Sequence, residues 1–277
     1  MPELAEVAYA SSLWKKGLRN KVKEVLTNEK TRVYREKNQA DFRKQLNGKT
    51  FSTLATHGKQ MLFGFSQGRW LGVHLGMTGS LSVEDQDYEI AKHDALLLRL
   101  SKQTLVFRDP RQFGRLRLEV NPSEPDWWKS LPFSMMDKRF DQDLLTYTLK
   151  KHARRPVKAL LLDQRYFQGM GNWMADEVLW RANIHPAHLA GKLNKNHSNK
   201  LFQEILFVVR GAMNSVGRHG GDPPAGWLFH TRWKDGGKCP KSKKPLRREQ
   251  VGGRTSCWCP FLQRLPARQR EVRIAKA

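Results

Sequence analysis

Pro2 follows the initiator methionine, and so small a residue favours removal of Met1, which exposes a secondary amine. An α-amino group titrates at about 7.7–8.0, so an appreciable fraction is neutral near pH 7. A helix starting at residue 3 sets its positive end beside that amine and lowers its pKa further. A neutral secondary amine can attack an aldehyde-like sugar carbon and form an iminium, which acts as an electron sink. Glu3 and Glu6 lie one helical turn apart on one face, placed to move protons or steady the cation. Proline in a first helical turn followed by glutamate is also ordinary helix-start chemistry. These residues gain weight only beside the rest of the chain.

The elements that must position them come next. Leu4, Val7, Ala8, Trp14 and Leu18 recur at helical spacing and predict an amphipathic helix over residues 3–18. From Gly48 to Val120 the pattern changes to short β-like runs, MLFGF (Met61–Phe65), WLGVHL (Trp70–Leu75), ALLLRL (Ala95–Leu100) and TLVF (Thr104–Phe107). RLRLEV (Arg115–Val120) alternates with period two, as a half-buried strand does. These features predict an α+β chain of two domains, the first an antiparallel β-sandwich packed with the N-terminal helix over 1–120. NPSEPDWW (Asn121–Trp128) opens a linker over 121–136. Helical periodicity follows over 137–219. A Gly-, Pro-, Lys- and Arg-rich section over 220–263 has room for one β-hairpin, and 264–277 form a basic tail.

Composition narrows the partner. Lys and Arg outnumber Asp and Glu by 50 to 26, a formal charge of +24 that calls for a polyanion. The longest apolar runs are far too short to span a bilayer, and the acidic N-terminus shows no secretory signal. Cys239, Cys257 and Cys259 make an odd count, unlike a disulfide framework, and fit a reducing interior. Nucleic acid is therefore the expected partner, with no membrane. Charge alone would equally suit a basic RNA-binding, ribosomal or chromatin protein.

Four segments in order resolve that ambiguity: MPELAEV (Met1–Val7), HLGMTG (His74–Gly79), FRDPRQFG (Phe107–Gly114) and LLDQRYFQGMGNWMADEVLWRANIHP (Leu161–Pro186). Together they resemble the formamidopyrimidine-DNA glycosylase and endonuclease VIII family of bifunctional DNA glycosylases, although Ala5 stands where a second proline is usual. The long segment is similar to that family's helix–two-turns–helix DNA-binding element. The resemblance implies a monomeric base-excision-repair enzyme of the bacterial cytoplasm or a nucleus, acting on damaged double-stranded DNA. It makes Pro2 the Schiff-base nucleophile, Glu3 the general acid/base, Glu6 a supporting carboxylate and Lys59 a phosphate contact near the lesion. His74, Asn172 in GMGN and Arg254 are implied as further DNA-binding residues. Met77, Arg111 and Phe113 match the residues pushed into the duplex to fill the gap left by an everted base. Taken alone, Met77 and Phe113 would read as sandwich core. This Met, Arg, Phe combination favours the formamidopyrimidine branch and oxidised purines. An endonuclease VIII-like enzyme for oxidised pyrimidines, or a catalytically silent damage-binding relative, are the alternatives.

The family's usual C-terminal zinc finger is broken here. The matching frame runs through Cys239, Ser242, Cys259 and Leu262, so only two positions are thiols, whereas structural zinc takes four N or S donors. Cys257 lies too close to Cys259 to restore the usual pair, and His230 is the remaining candidate donor. A zincless hairpin finger is expected, with no metal or other cofactor, held by packing of Trp233, Trp258 and Phe261. Arg254 keeps its place five residues before Cys259. The loop RHGGDPPAGWLF (Arg218–Phe229) stands where the family holds the extruded base.

Overall fold

The computed structural model describes residues 1–35 and 38–266. From residue 267 on, the expected basic tail lies outside them. In chain order the elements are α1 (Leu4–Leu13), β1 (Glu24–Thr27), α2 (Gln39–Leu46), β2 (Phe51–His57), β3 (Gln60–Phe65), β4 (Arg69–His74), β5 (Ser80–Asp85), β6 (Asp94–Arg99), β7 (Gln103–Arg108) and β8 (Arg115–Val120). Then come α3 (Asp126–Lys129), α4 (Gln142–Lys151), α5 (Val157–Leu161), α6 (Asn172–Arg181), α7 (Lys195–Asn214), β9 (Arg247–Val251) and β10 (Arg254–Trp258).

The chain divides into two units, one of Met1–Leu131 with Gly217–Gly220 and one of Pro132–Val216 with the residues from Gly221. In the first, two antiparallel four-stranded sheets, ordered β1-β6-β7-β5 and β2-β3-β4-β8, enclose a shared core. Strand alternation builds it: Leu71 and Val73 of β4 pair with Leu118 and Leu116 of β8, and all four are buried. Trp14 is fully buried in this core and its indole N–H donates to the Ser82 carbonyl at 3.1 Å, which ties the chain after α1 to β5. The first helix ends sooner than its periodicity suggests: α1 stops at Leu13 and a tight 3-10 turn over Trp14–Gly17 turns the chain into the core. Residues 121–136 are not featureless, because α3 forms there and Trp127 and Trp128 meet edge to face.

In the second unit α6 packs on α7, and β9 and β10 form a hairpin through a two-residue turn at Gly252 and Gly253. Both glycines have positive φ, 62° and 75°, as the mirror-image turn favoured by hairpins requires.

Candidate active site and nucleic-acid interface

Glu3 is the N-cap of α1, in extended conformation, and its carboxylate accepts a backbone N–H from the first turn. Glu6 reciprocates, its Oε2 accepting the Glu3 N–H at 3.2 Å. This is a capping box, which stabilises a helix start by about 1 kcal/mol. Helix-start chemistry and the proposed catalytic trio are therefore the same residues. Pro2 is half-buried directly ahead of the cap, Glu3 is 2% exposed, and Met1 projects into solvent at 47%. A buried carboxylate thus stands next to the nitrogen that loss of Met1 would free.

Lys59 sits at the tip of the β2–β3 hairpin, where Gly58 takes a φ of 57°, and is nonetheless buried. His74 ends β4. Its Nδ1 accepts the Gly76 N–H at 3.1 Å, so a neutral ring carries its proton on Nε2, ready to donate. Burial first, then the charges of Lys59, Arg115, Arg117 and Arg35, lower the His74 pKa to about 4.

Met77 and Phe113 are surface residues, 38% and 49% exposed. The core reading of them is thereby corrected: both lie in loops beyond the strands that feed the sandwich interior. The Arg111 guanidinium lies over the Phe113 ring, 4.9 Å from its centre. The two loops are locked back to back. Gly76 has a φ of 64°, and a Cβ there would come within 2.4 Å of the Phe113 carbonyl carbon. Asp109, 2% exposed, accepts from the Thr78 hydroxyl at 2.9 Å and from the Gly114 N–H at 2.6 Å. One carboxylate thus fixes the loop of Met77 and the loop of Arg111 and Phe113. The sequence reading passed over Asp109, although it stands inside the quoted FRDPRQFG.

In the second unit, Asn172 opens α6 and its side-chain amide donates to the Thr255 carbonyl of β10 at 2.9 Å. That bond sets Asn172 beside the strand headed by the exposed Arg254. Gly169, at φ 86°, makes the turn before the helix, and its N–H is held by the Gln164 side chain at 3.1 Å. Glu177 holds the end of the 218–229 loop. Its Oε2 accepts the Phe229 N–H at 3.2 Å and its Oε1 the Arg181 Nε–H at 2.8 Å, while burial raises its pKa to about 7.

The finger frame closes without four donors. Ser242 N–H reaches Cys239 Sγ at 3.4 Å, its hydroxyl reaches Cys259 Sγ at 3.3 Å, and Leu262 packs on the same cluster. Two thiols, a hydroxyl and a methyl group do not fit tetrahedral zinc. The Trp180 indole N–H also points at Cys239 Sγ, 3.3 Å away. His230 takes no part, its Nε2 lying 2.9 Å from the Pro223 carbonyl. The packing meets expectation only in part. Trp258 is buried against His185, but Trp233 and Phe261 are each 55% exposed, and Trp180, Leu228, Leu246 and the three cysteines form the cluster under the hairpin. Beneath it, Asp176 is buried between Lys158 and Arg232 and accepts the Cys257 N–H at 3.1 Å.

Comparison with known proteins agrees with this architecture. Residues 1–116 match the formamidopyrimidine-DNA glycosylase N-terminal domain and residues 132–220 the H2TH domain of the same enzymes. The chain is 32% identical to a formamidopyrimidine-DNA glycosylase of Desulforamulus reducens over 95% of its own length and 99% of the relative's. It is 30% identical to one from Arabidopsis thaliana, covering 100% of this chain and 75% of that protein. Among solved structures, a Lactococcus lactis Fpg bound to DNA containing an oxidised pyrimidine superposes with a TM-score of 0.85 at 26% identity. A MutM complex with DNA carrying carbocyclic 8-oxo-G gives 0.83 at 26% identity, and in both cases 95% of this chain and 100% of the other are covered. The chain belongs to the formamidopyrimidine-DNA glycosylase family and is a DNA glycosylase of base-excision repair. No described helix is long and apolar enough to cross a membrane.

Proposed function

We propose that this glycosylase removes oxidised purines, of the 8-oxoguanine and formamidopyrimidine type, from duplex DNA and then cuts the strand through Pro2. The observation that carries the reading is the half-buried Pro2 directly ahead of the Glu3–Glu6 capping box. The freed Pro2 nitrogen attacks the sugar C1′, the bond to the base breaks, and the base leaves with a proton. Glu3 serves as the acid/base at the sugar. The resulting iminium acidifies the C2′ protons, and successive eliminations expel the 3′ and then the 5′ phosphate. Met77, Arg111 and Phe113 fill the space of the everted base, while Lys59, His74, Asn172 and Arg254 hold phosphates around it. Relatives have been crystallised with both purine and pyrimidine lesions, so the choice of purine rests on the Met, Arg, Phe wedge. The enzyme acts as a monomer on chromosomal DNA in a reducing compartment, cytoplasmic or nuclear.

Borohydride trapping tests the mechanism on duplexes carrying 8-oxoguanine, an oxidised pyrimidine or an abasic site. A covalent adduct is expected with the native enzyme and none with Pro2→Gly or an acetylated N-terminus. Tight binding of abasic DNA with neither adduct nor cleavage would overturn the catalytic reading and leave a silent damage-binding protein. We also propose that the finger works without zinc, on the strength of its donor set. Elemental analysis finding one zinc per purified chain would refute that.

A further inference from the structure

We propose that Arg35, Arg115 and Arg117 form a second phosphate subsite, which takes a DNA backbone phosphate next to the one held at Lys59 and His74. The proposal rests on the DNA-glycosylase reading above and extends its grip along the strand. β8 pairs antiparallel with β4, so that Arg115 lies opposite His74 and Arg117 opposite Gly72. Leu116 and Leu118 point into the core, which turns Arg115 and Arg117 together onto the outer face. Gln60 of β3 pairs with His74 on its other side, so Gln60, His74 and Arg115 make a row across three strands.

These residues, with Arg35 and Phe113, line a cavity of about 290 Å³. Its described polar lining is amide, imidazole and guanidinium, all able to donate hydrogen bonds. Guanidinium groups match phosphate oxygens in pairs. Arg117 is placed in advance. Its guanidinium lies 4.9 Å from the centre of the Trp127 ring. That ring fits because position 72 is glycine: a Cβ there would meet it at 2.7 Å. Phe113 walls the cavity and also belongs to the base-gap wedge, so an occupant of the cavity lies beside the opened base pair.

The test is the salt dependence of binding to a duplex containing a tetrahydrofuran abasic-site analogue, read by fluorescence anisotropy. Three proteins are compared: native enzyme, R115Q/R117Q, and a charge-matched control K15Q/K16Q, whose lysines are exposed on the turn after α1. Each phosphate neutralised contributes about 0.9 to the slope of log affinity against log salt. R115Q/R117Q should therefore be shallower than native by about 0.9, with K15Q/K16Q following the native line. Arg35→Gln, in a segment outside the sheets, should flatten the slope independently and covers the case of a double variant that misfolds. An unchanged slope in both the double variant and Arg35→Gln would overturn the subsite. Equal flattening by R115Q/R117Q and K15Q/K16Q would also overturn it, since net charge would then explain the effect. If the native enzyme itself showed no salt-dependent binding, the DNA-glycosylase reading would fail first.

Discussion

Among the site residues, the fold lowers the pKa of His74, with one consequence for stability and another for DNA binding. With its pKa lowered to about 4, the folded protein resists a proton that an unfolded chain accepts near 6.5. Stability should therefore fall as pH drops from 6.5 toward 4, and native enzyme should lose more melting temperature there than His74→Gln. Burial is the larger cause and stays, but a bound phosphate offsets the charges of Lys59, Arg115, Arg117 and Arg35 that also oppose the proton. Native DNA affinity should rise as pH falls through that window beyond what His74→Gln shows; parallel pH profiles for the two would sink the idea. Asp109 supports a second expectation. Asp109→Ala should cost about 1–3 kcal/mol of stability, because it strips the buried Gly114 N–H of its acceptor. It should also slow base eversion, followed by fluorescence of a 2-aminopurine placed beside the lesion. Pro2, Glu3 and Lys59 are legible in the sequence as candidates because their motifs are contiguous. The sequence could not say that Met77 and Phe113 are exposed, or that Asp109 binds their loops. Both facts depend on chain segments some 30 residues apart meeting.

Among the elements, the finger hairpin keeps the spacing of a metal frame although two of its four positions are Ser242 and Leu262. Its four positions still converge, with Ser242 within 3.3 Å of Cys259 Sγ and Leu262 on the same cluster. S242C/L262C should accordingly bind one zinc per chain, scored by elemental analysis, whereas S242C alone should not bind it tightly. A double variant that took up no zinc would mean the hairpin has drifted too far for the frame to close. At the wedge, Gly76→Ala should be far worse than an ordinary surface glycine change. It forces a side chain into the Phe113 backbone at positive φ, and the readout is loss of lesion binding with the far-ultraviolet spectrum kept. The strands with strong apolar runs were readable from sequence to within a residue or so. β1, β2, β5 and α2 were not. β1 is only four residues long, β2 buries only Phe51, and α2 buries only Phe42 and Leu46. Of the three finger aromatics Trp258 is buried and Trp233 and Phe261 are not, a difference the sequence does not carry because exposed and buried aromatics look alike in it.

At the scale of the whole molecule, the charge of +24 should dominate affinity for undamaged duplex. For a protein contacting 6–10 phosphates, binding weakens by about 10³–10⁵ between 50 and 200 mM salt. A much flatter response would mean that the basic residues are not gathered on one DNA-facing surface.

Asp176 carries a consequence of a different kind, in the order of assembly. Its carboxylate joins Lys158, 18 residues away, Arg232, 56 away, and the Cys257 amide, 81 away. Removing one partner of a buried ion pair costs about 3–5 kcal/mol, so this centre is stable complete and costly in part. A nascent chain that has emerged only as far as α6 holds Lys158 and Asp176 but not yet Arg232 or Cys257. Long-range closure is the slow part of folding, and here it waits until Arg232 and Cys257 have been synthesised. A chain cut short before Arg232 should therefore be released with an unfinished helical unit and be degraded rather than survive as a fingerless enzyme.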